Sequence, residues 1–232
     1  PNLTSVGQYA FEGCVSMSSY NLPKLNGSIA NYAFGYCNAL TSLNFSLVKS
    51  VGAYTFQYCS YVTSLSFPEL TSVYGYAFRG CQRITTVSLP KVNYLSTQCF
   101  SGCSRITTVN LPSAVNLYAG CFSYLTTCTS YSLPLVTLIG SSVFYSNYAL
   151  TELTLPKAST FSAYAFRYCS SLMNLYLPGS SIPVLTATAF ANMPFSVSVG
   201  GVFGSIHVPS SMLASYKAST NWATYSNRIV AI

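Results

Sequence analysis

The sequence predicts a repeat solenoid, mainly β with short helical or 3-10 turns, wound as a right-handed stack of about nine 22-residue coils with a parallel sheet. Three observations carry this. Phenylalanine recurs at Phe11, Phe34, Phe56, Phe78, Phe100, Phe122, Phe144, Phe166 and Phe190, in steps of 23, then 22 six times, then 24. A Leu-Pro or Phe-Pro pair keeps the same period, at Leu22-Pro23, Phe67-Pro68, Leu89-Pro90, Leu111-Pro112, Leu133-Pro134, Leu155-Pro156 and Leu177-Pro178, with Phe45-Ser46 in the missing place. Before most pairs runs an apolar-x-x-apolar-x-apolar pattern, as in Ile84, Val87, Leu89 and Ile106, Val109, Leu111.

Each part of the unit has a physical reason. The last two apolar positions alternate, as a half-buried strand requires. Proline has no N–H to give to a ladder, so it belongs where the strand ends. Gly7, Gly52 and Gly140 share a place four residues before Phe, where a left-handed or tight turn would explain them. One copy cannot bury its own apolar face. Stacked copies bury a continuous core, each adding a strand to the sheet. Phe34, Phe56, Phe78 and Phe100 are therefore expected as core anchors.

The consensus is roughly L-x-x-L-x-L-P-x-V-x-x-I-G-x-x-A-F-x-x-C, and it resembles the BspA-like bacterial surface leucine-rich repeats over residues 1–195. The resemblance implies a leucine-rich-repeat stack in a secreted or surface-attached bacterial protein that takes part in adhesion. Similar repeats occur in phage-borne proteins, so a phage origin stays open.

At the start, Leu3-Thr4-Ser5-Val6-Gly7 matches the second half of a unit, so the chain is expected to open in mid-coil. After Phe190 the period fails. Residues 1–195 are read as the solenoid and 196–232 as a C-terminal cap of the same domain. In the cap, Gly200-Gly201-Val202-Phe203-Gly204 suggests a turn and Ser205-Ile206-His207-Val208-Pro209 a last strand. Ser210 or Ser211 could cap a short helix through Tyr216 and Lys217. Trp222, beside an apolar tail, is expected to pack rather than to bind.

Composition excludes several function classes. Half of the residues are apolar and only 6% are charged, against roughly 25% in an ordinary soluble protein. Disorder needs the opposite balance. Polar residues interrupt every apolar run, so no membrane insertion is expected from these residues. Ten cations against three glutamates leave a net charge of +7, and spread over nine coils they are too dilute for nucleic acid. Glu12, Glu69 and Glu152 lie in separate copies and aspartate is absent, so neither a carboxylate pair nor a calcium cage can form. No cofactor is expected, and the chain is read as a non-enzyme.

Nine cysteines have no C-x-x-C pair, which argues against zinc. Cys37, Cys59, Cys81 and Cys103, with Cys14 and Cys169, occupy one repeat position three residues after Phe. Residues at equal positions stack about 4.8 Å apart, and parallel side chains do not readily give a disulfide dihedral. A column of free, buried thiols follows, each behaving as a small hydrophobe.

What remains for function is the outer surface. Strand positions such as Thr85, Thr86 and Ser88 present rows of hydroxyls. Tyr9, Tyr32, Tyr54, Tyr76 and Tyr164 form one column, and Tyr36, Tyr58, Tyr124 and Tyr168 a second, which either pack as ladders or offer contacts. Arg79, Arg83, Arg105 and Lys91 are the densest cations and the candidate ligand-binding residues. They suit an acidic patch on a host or cell-surface protein or glycan. Two functions are compatible with this surface: a binding or adhesion module, or a structural spacer or virion display element with no ligand of its own.

Overall fold

The computed structural model describes residues 2–197, 200 and 202–232. Gly201 of the expected glycine turn lies outside them, as does Pro1. The chain winds as a β-solenoid of about nine turns of roughly 22 residues.

Each regular coil contributes two short strands, not the single one read from the sequence. The first comes from the expected pattern, for example Thr86–Ser88, Thr108–Asn110 and Ser130–Ser132, which pair in parallel. The second lies after the proline, at segments such as Ser72–Val73, Tyr94–Leu95 and Asn116–Leu117. These form one eight-stranded parallel ladder from Asn26–Ile29 to Val184–Leu185. Val6 bridges Ile29 in parallel at its start. The second strand is mostly two residues long, too short to show an alternation in the sequence.

The first strands fall into three separate parallel sheets of two, three and (with the cap) four strands, and their inner positions meet those of the ladder in one core. In the ladder Val51, Val73, Leu95, Leu117, Ile139 and Phe161 stand in register and are fully buried. The phenylalanine column fills the third side. Phe34, Phe56, Phe78 and Phe100 are fully buried, with successive rings stacked at 5.4, 5.5 and 4.9 Å. Between Phe122 and Phe144 the column is interrupted. The ring of Tyr131 inserts there, 5.8 Å from one and 5.0 Å from the other.

The turn around each phenylalanine alternates two kinds of backbone hydrogen bond. Tyr32, Phe34 and Tyr36 donate to carbonyls of the next coil, at 3.0, 2.9 and 2.8 Å. Ala33, Gly35 and Cys37 donate back within the turn to Ala30, Tyr32 and Phe34. Every N–H of the segment is used, which is what allows this irregular stretch to run unbroken along the stack. The column of Gly52 and Gly140 is not left-handed. A Cβ there would lie 2.8 Å from the Ile29 carbonyl oxygen, or 2.7 Å from that of Leu117, so glycine answers a close approach between coils.

The stack ends in a sheet that keeps going. Ser205–Val208 pairs in parallel with Asn174–Tyr176, and Ile229–Ala231 pairs with it in turn. A helix, Leu213–Ala218, follows a short 3-10 turn, Ser210–Met212. Neither serine caps it: Met212 holds the N-cap place, and Ser210 Oγ donates instead to the Ile232 carbonyl at 2.9 Å. Trp222 is buried, donates through Nε1 to Pro183 O at 2.7 Å, and packs edge-on against Phe161, Phe190 and Tyr216. His207 lies flat on Tyr176 at 4.3 Å and shares a 2.9 Å hydrogen bond with Asn174. Burial lowers its pKa.

Candidate functional site: the tyrosine-bearing turn face

The inner wall of this face is the cysteine column. Cys37, Cys59, Cys81 and Cys103 are buried and unpaired. They are more than small hydrophobes. Each thiol points at the carbonyl of the phenylalanine one coil back, with Sγ 3.0 Å from Phe11 O for Cys37 and 3.1 Å from Phe34, Phe56 and Phe78 O for the others. Asn147 occupies the same place and does the same, its Nδ2 donating to Phe122 O at 2.9 Å. Its second polar atom is met by the Tyr131 hydroxyl. Burial pushes the Cys37 thiol up to about 11 and those of Cys59 and Cys103 up to about 12. These three thiols stay protonated at neutral pH and offer no nucleophile there.

The outer wall carries the tyrosines. Both tyrosine columns sit at turn positions with positive φ, for example Tyr32 at 59°, Tyr54 at 59° and Tyr76 at 60° in one, and Tyr36 at 61° and Tyr124 at 61° in the other. This is left-handed backbone, which costs an ordinary L-residue roughly 1–2 kcal/mol. Glycine takes the same place at Gly80 and Gly102, both at 73°. That exchange of Gly with Tyr at one repeat position was the sequence signal for the left-handed backbone. Part of the cost is offset by stacking: Tyr9, Tyr32, Tyr54 and Tyr76 form a ladder with rings 4.9, 4.6 and 4.7 Å apart. Tyr36 and Tyr124 remain exposed.

The four cations singled out from the sequence are only partly brought together. Arg83 and Arg105 line one shallow depression with Tyr61, whose ring lies 4.3 Å under the Arg83 guanidinium. Arg79 lines a neighbouring groove, its guanidinium 5.5 Å from the Tyr76 ring. Lys91 lines neither. Its ammonium holds both oxygens of Glu69, each at 2.7 Å, in an exposed ion pair.

Among the described residues no group of histidine, cysteine or carboxylate side chains is placed to hold a metal ion. No helix among them is long and apolar enough to cross a membrane.

The family described as BspA type Leucine rich repeat region matches in six copies, over residues 1–106, 49–173 and 93–198. No curated protein matches the sequence. Among solved structures, the chain is similar to a leucine-rich repeat protein from Bacteroides ovatus, at 19% identity and a TM-score of 0.59, over 99% of this chain and 76% of that one. It is also similar to a leucine rich cell surface protein from Faecalibacterium prausnitzii, at 20% identity and a TM-score of 0.52, over 89% of this chain and 64% of that one. At these identities the likeness speaks for the fold. The repeats, the parallel strands and the family match agree: the chain belongs to the BspA type leucine-rich repeat family.

Proposed function

We propose that this chain is a recognition module of a bacterial surface or secreted protein, non-enzymatic, which presents the tyrosine-bearing turn face to a host or cell-surface protein or glycan. The observation that carries this is the positive φ of the tyrosines. Folding alone would favour glycine there, as it does at Gly80 and Gly102. Exposed tyrosine is a stiff contact residue with a polar tip, useful for binding. The likeness to a cell surface protein supports the location.

The depression holding Arg83 and Arg105 adjoins this face and suits an acidic group on the partner. A planar guanidinium can grip a carboxylate or sulfate through two hydrogen bonds. The test is binding of the purified chain to an array of mucins, matrix proteins and glycans. Binding to one class in preference to the rest supports the reading. Absence of binding to all of them would favour the spacer or virion display element instead. If the partner is acidic, Arg83→Ser with Arg105→Ser weakens binding at low salt and removes most of its salt dependence. Equal binding by that double variant would leave the arginines a solubility feature.

A further inference from the structure

Three neighbouring columns of the turn face become small over overlapping, staggered stretches of the stack. In the column two residues before Phe, Tyr76 gives way to Gln98, Gly120 and Ser142, and Tyr164 then returns. In the column one residue after Phe, Arg79 is followed by Ser101 and Ser123, then Tyr145. In the column two residues after Phe, Tyr58 is followed by Gly80 and Gly102, then Tyr124. The outcome is one groove of about 590 Å³ across the ladders. Tyr58 and Arg79 close it at one end, Tyr124 and Tyr145 at the other.

The floor is shaped, not merely empty. Ser123 Oγ donates to Ser101 Oγ and lies as close to Gly120 O, both at 2.8 Å. The Tyr58 ring leans over Gly80, where a Cβ would fall 2.4 Å from a ring carbon. At Gly102 a Cβ would meet only the Gly80 backbone, at 3.9 Å.

We propose that this groove binds a neutral oligosaccharide chain laid along the stack. The proposal rests on the recognition role argued above and names its ligand class. The lining is hydroxyls, the two carboxamides of Gln82 and Gln98 and aromatic faces, with Arg79 its only charge. A sugar ring matches that set. Its apolar C–H face packs on a tyrosine ring, whose π-face is electron-rich. Its hydroxyls both donate and accept, as serine and glutamine do. A peptide strand is a poorer match, because floor amides are already committed: Gln98, Gly102 and Gly120 donate to Ala119, Ser123 and Ser141. No free backbone edge is left for strand addition. Four coil steps separate Tyr58 from Tyr145, roughly 19 Å at about 4.8 Å each. The coil rise is comparable to the length of one hexose, so successive sugars meet successive coils.

The test is isothermal titration of the intact chain with named neutral probes: maltohexaose, cellohexaose, xylohexaose, mannohexaose and laminarihexaose. Gly102→Tyr is the decisive variant. It restores the column's own residue at a φ that Tyr36 and Tyr124 already adopt, with no Cβ clash, and fills the groove. At least one probe is expected to bind the parent with little salt dependence. Gly102→Tyr should weaken it by about tenfold or more, an effect of about 1.4 kcal/mol, while the chain stays folded, its melting temperature lowered only by the strain of a left-handed tyrosine. Tyr124→Gly, which introduces a residue this column already uses, should also weaken it. Binding undiminished in Gly102→Tyr would overturn the proposal. So would failure of all five probes while the chain still binds a protein or acidic glycan, which leaves the recognition role standing. Failure of every probe of every class would remove both.

Discussion

At the scale of single residues, the geometry of the cysteine column explains why a free thiol is repeated so often. A thiol is small enough to be buried and still offers a hydrogen to the phenylalanine carbonyl one coil back. Cys81→Ala should cost about 1 kcal/mol from the lost hydrogen bond, and Cys81→Ser should recover part of it in urea melting. Identical stability of all three would mean the contact contributes nothing. Thiol titration of the native protein should find about one reactive group, the half-buried Cys14, and all nine after unfolding. The raised thiol pKa values also have a pH consequence. Cys59 titrates at about 12 when folded and near 9 when unfolded. Its contribution is therefore complete below pH 9 and is lost as pH rises from there towards 12. A stability profile flat from pH 8 to 11 would contradict this. The column was plain in the sequence, because spacing alone reveals it. The hydrogen bond was not, since nothing in the spacing says which carbonyl a thiol faces.

At the scale of the coil, the phenylalanine turn is the element on which the others lean. Phe100 is fully buried and stacks on Phe78 at 4.9 Å and Phe122 at 6.0 Å. Phe100→Ala should cost about 3–5 kcal/mol and should raise amide exchange first in the coils on either side, since each coil contacts mainly its neighbours. An unchanged melting curve would show that the column is not the core. The first strand and this turn were legible, because an apolar period of 22 repeated over most of the chain leaves little alternative. The second strand and the left-handed tyrosines were not. The strand is too short for a pattern, and a bulky residue at positive φ runs against its own preference. Only the exchange of Tyr58 for Gly80 at one repeat position hints at it. At the candidate site, Arg83 and Arg105 were rightly expected to be neighbours from their one-period spacing. Lys91 is near them in sequence, but the coil carries it to its own partner, Glu69.

At the scale of the whole molecule, the parallel ladders make a long, rigid, sparsely charged body whose turn face is lined with exposed rings. Continuous hydrogen bonding from coil to coil fixes the spacing of those rings, so an extended partner meets a surface that needs no rearrangement. The groove between Tyr58 and Tyr145 is marked by no motif, because it forms only where three neighbouring columns become small over staggered, overlapping coils. The central claim is that a partner covers this face, and radical footprinting tests it most directly. With the strongest binder from the array at saturation, oxidation of exposed tyrosines on the face, Tyr36, Tyr124 and Tyr164, should fall for at least one of them relative to the free chain. Equal oxidation of all three in the bound and free protein would place the partner elsewhere and contradict the claim.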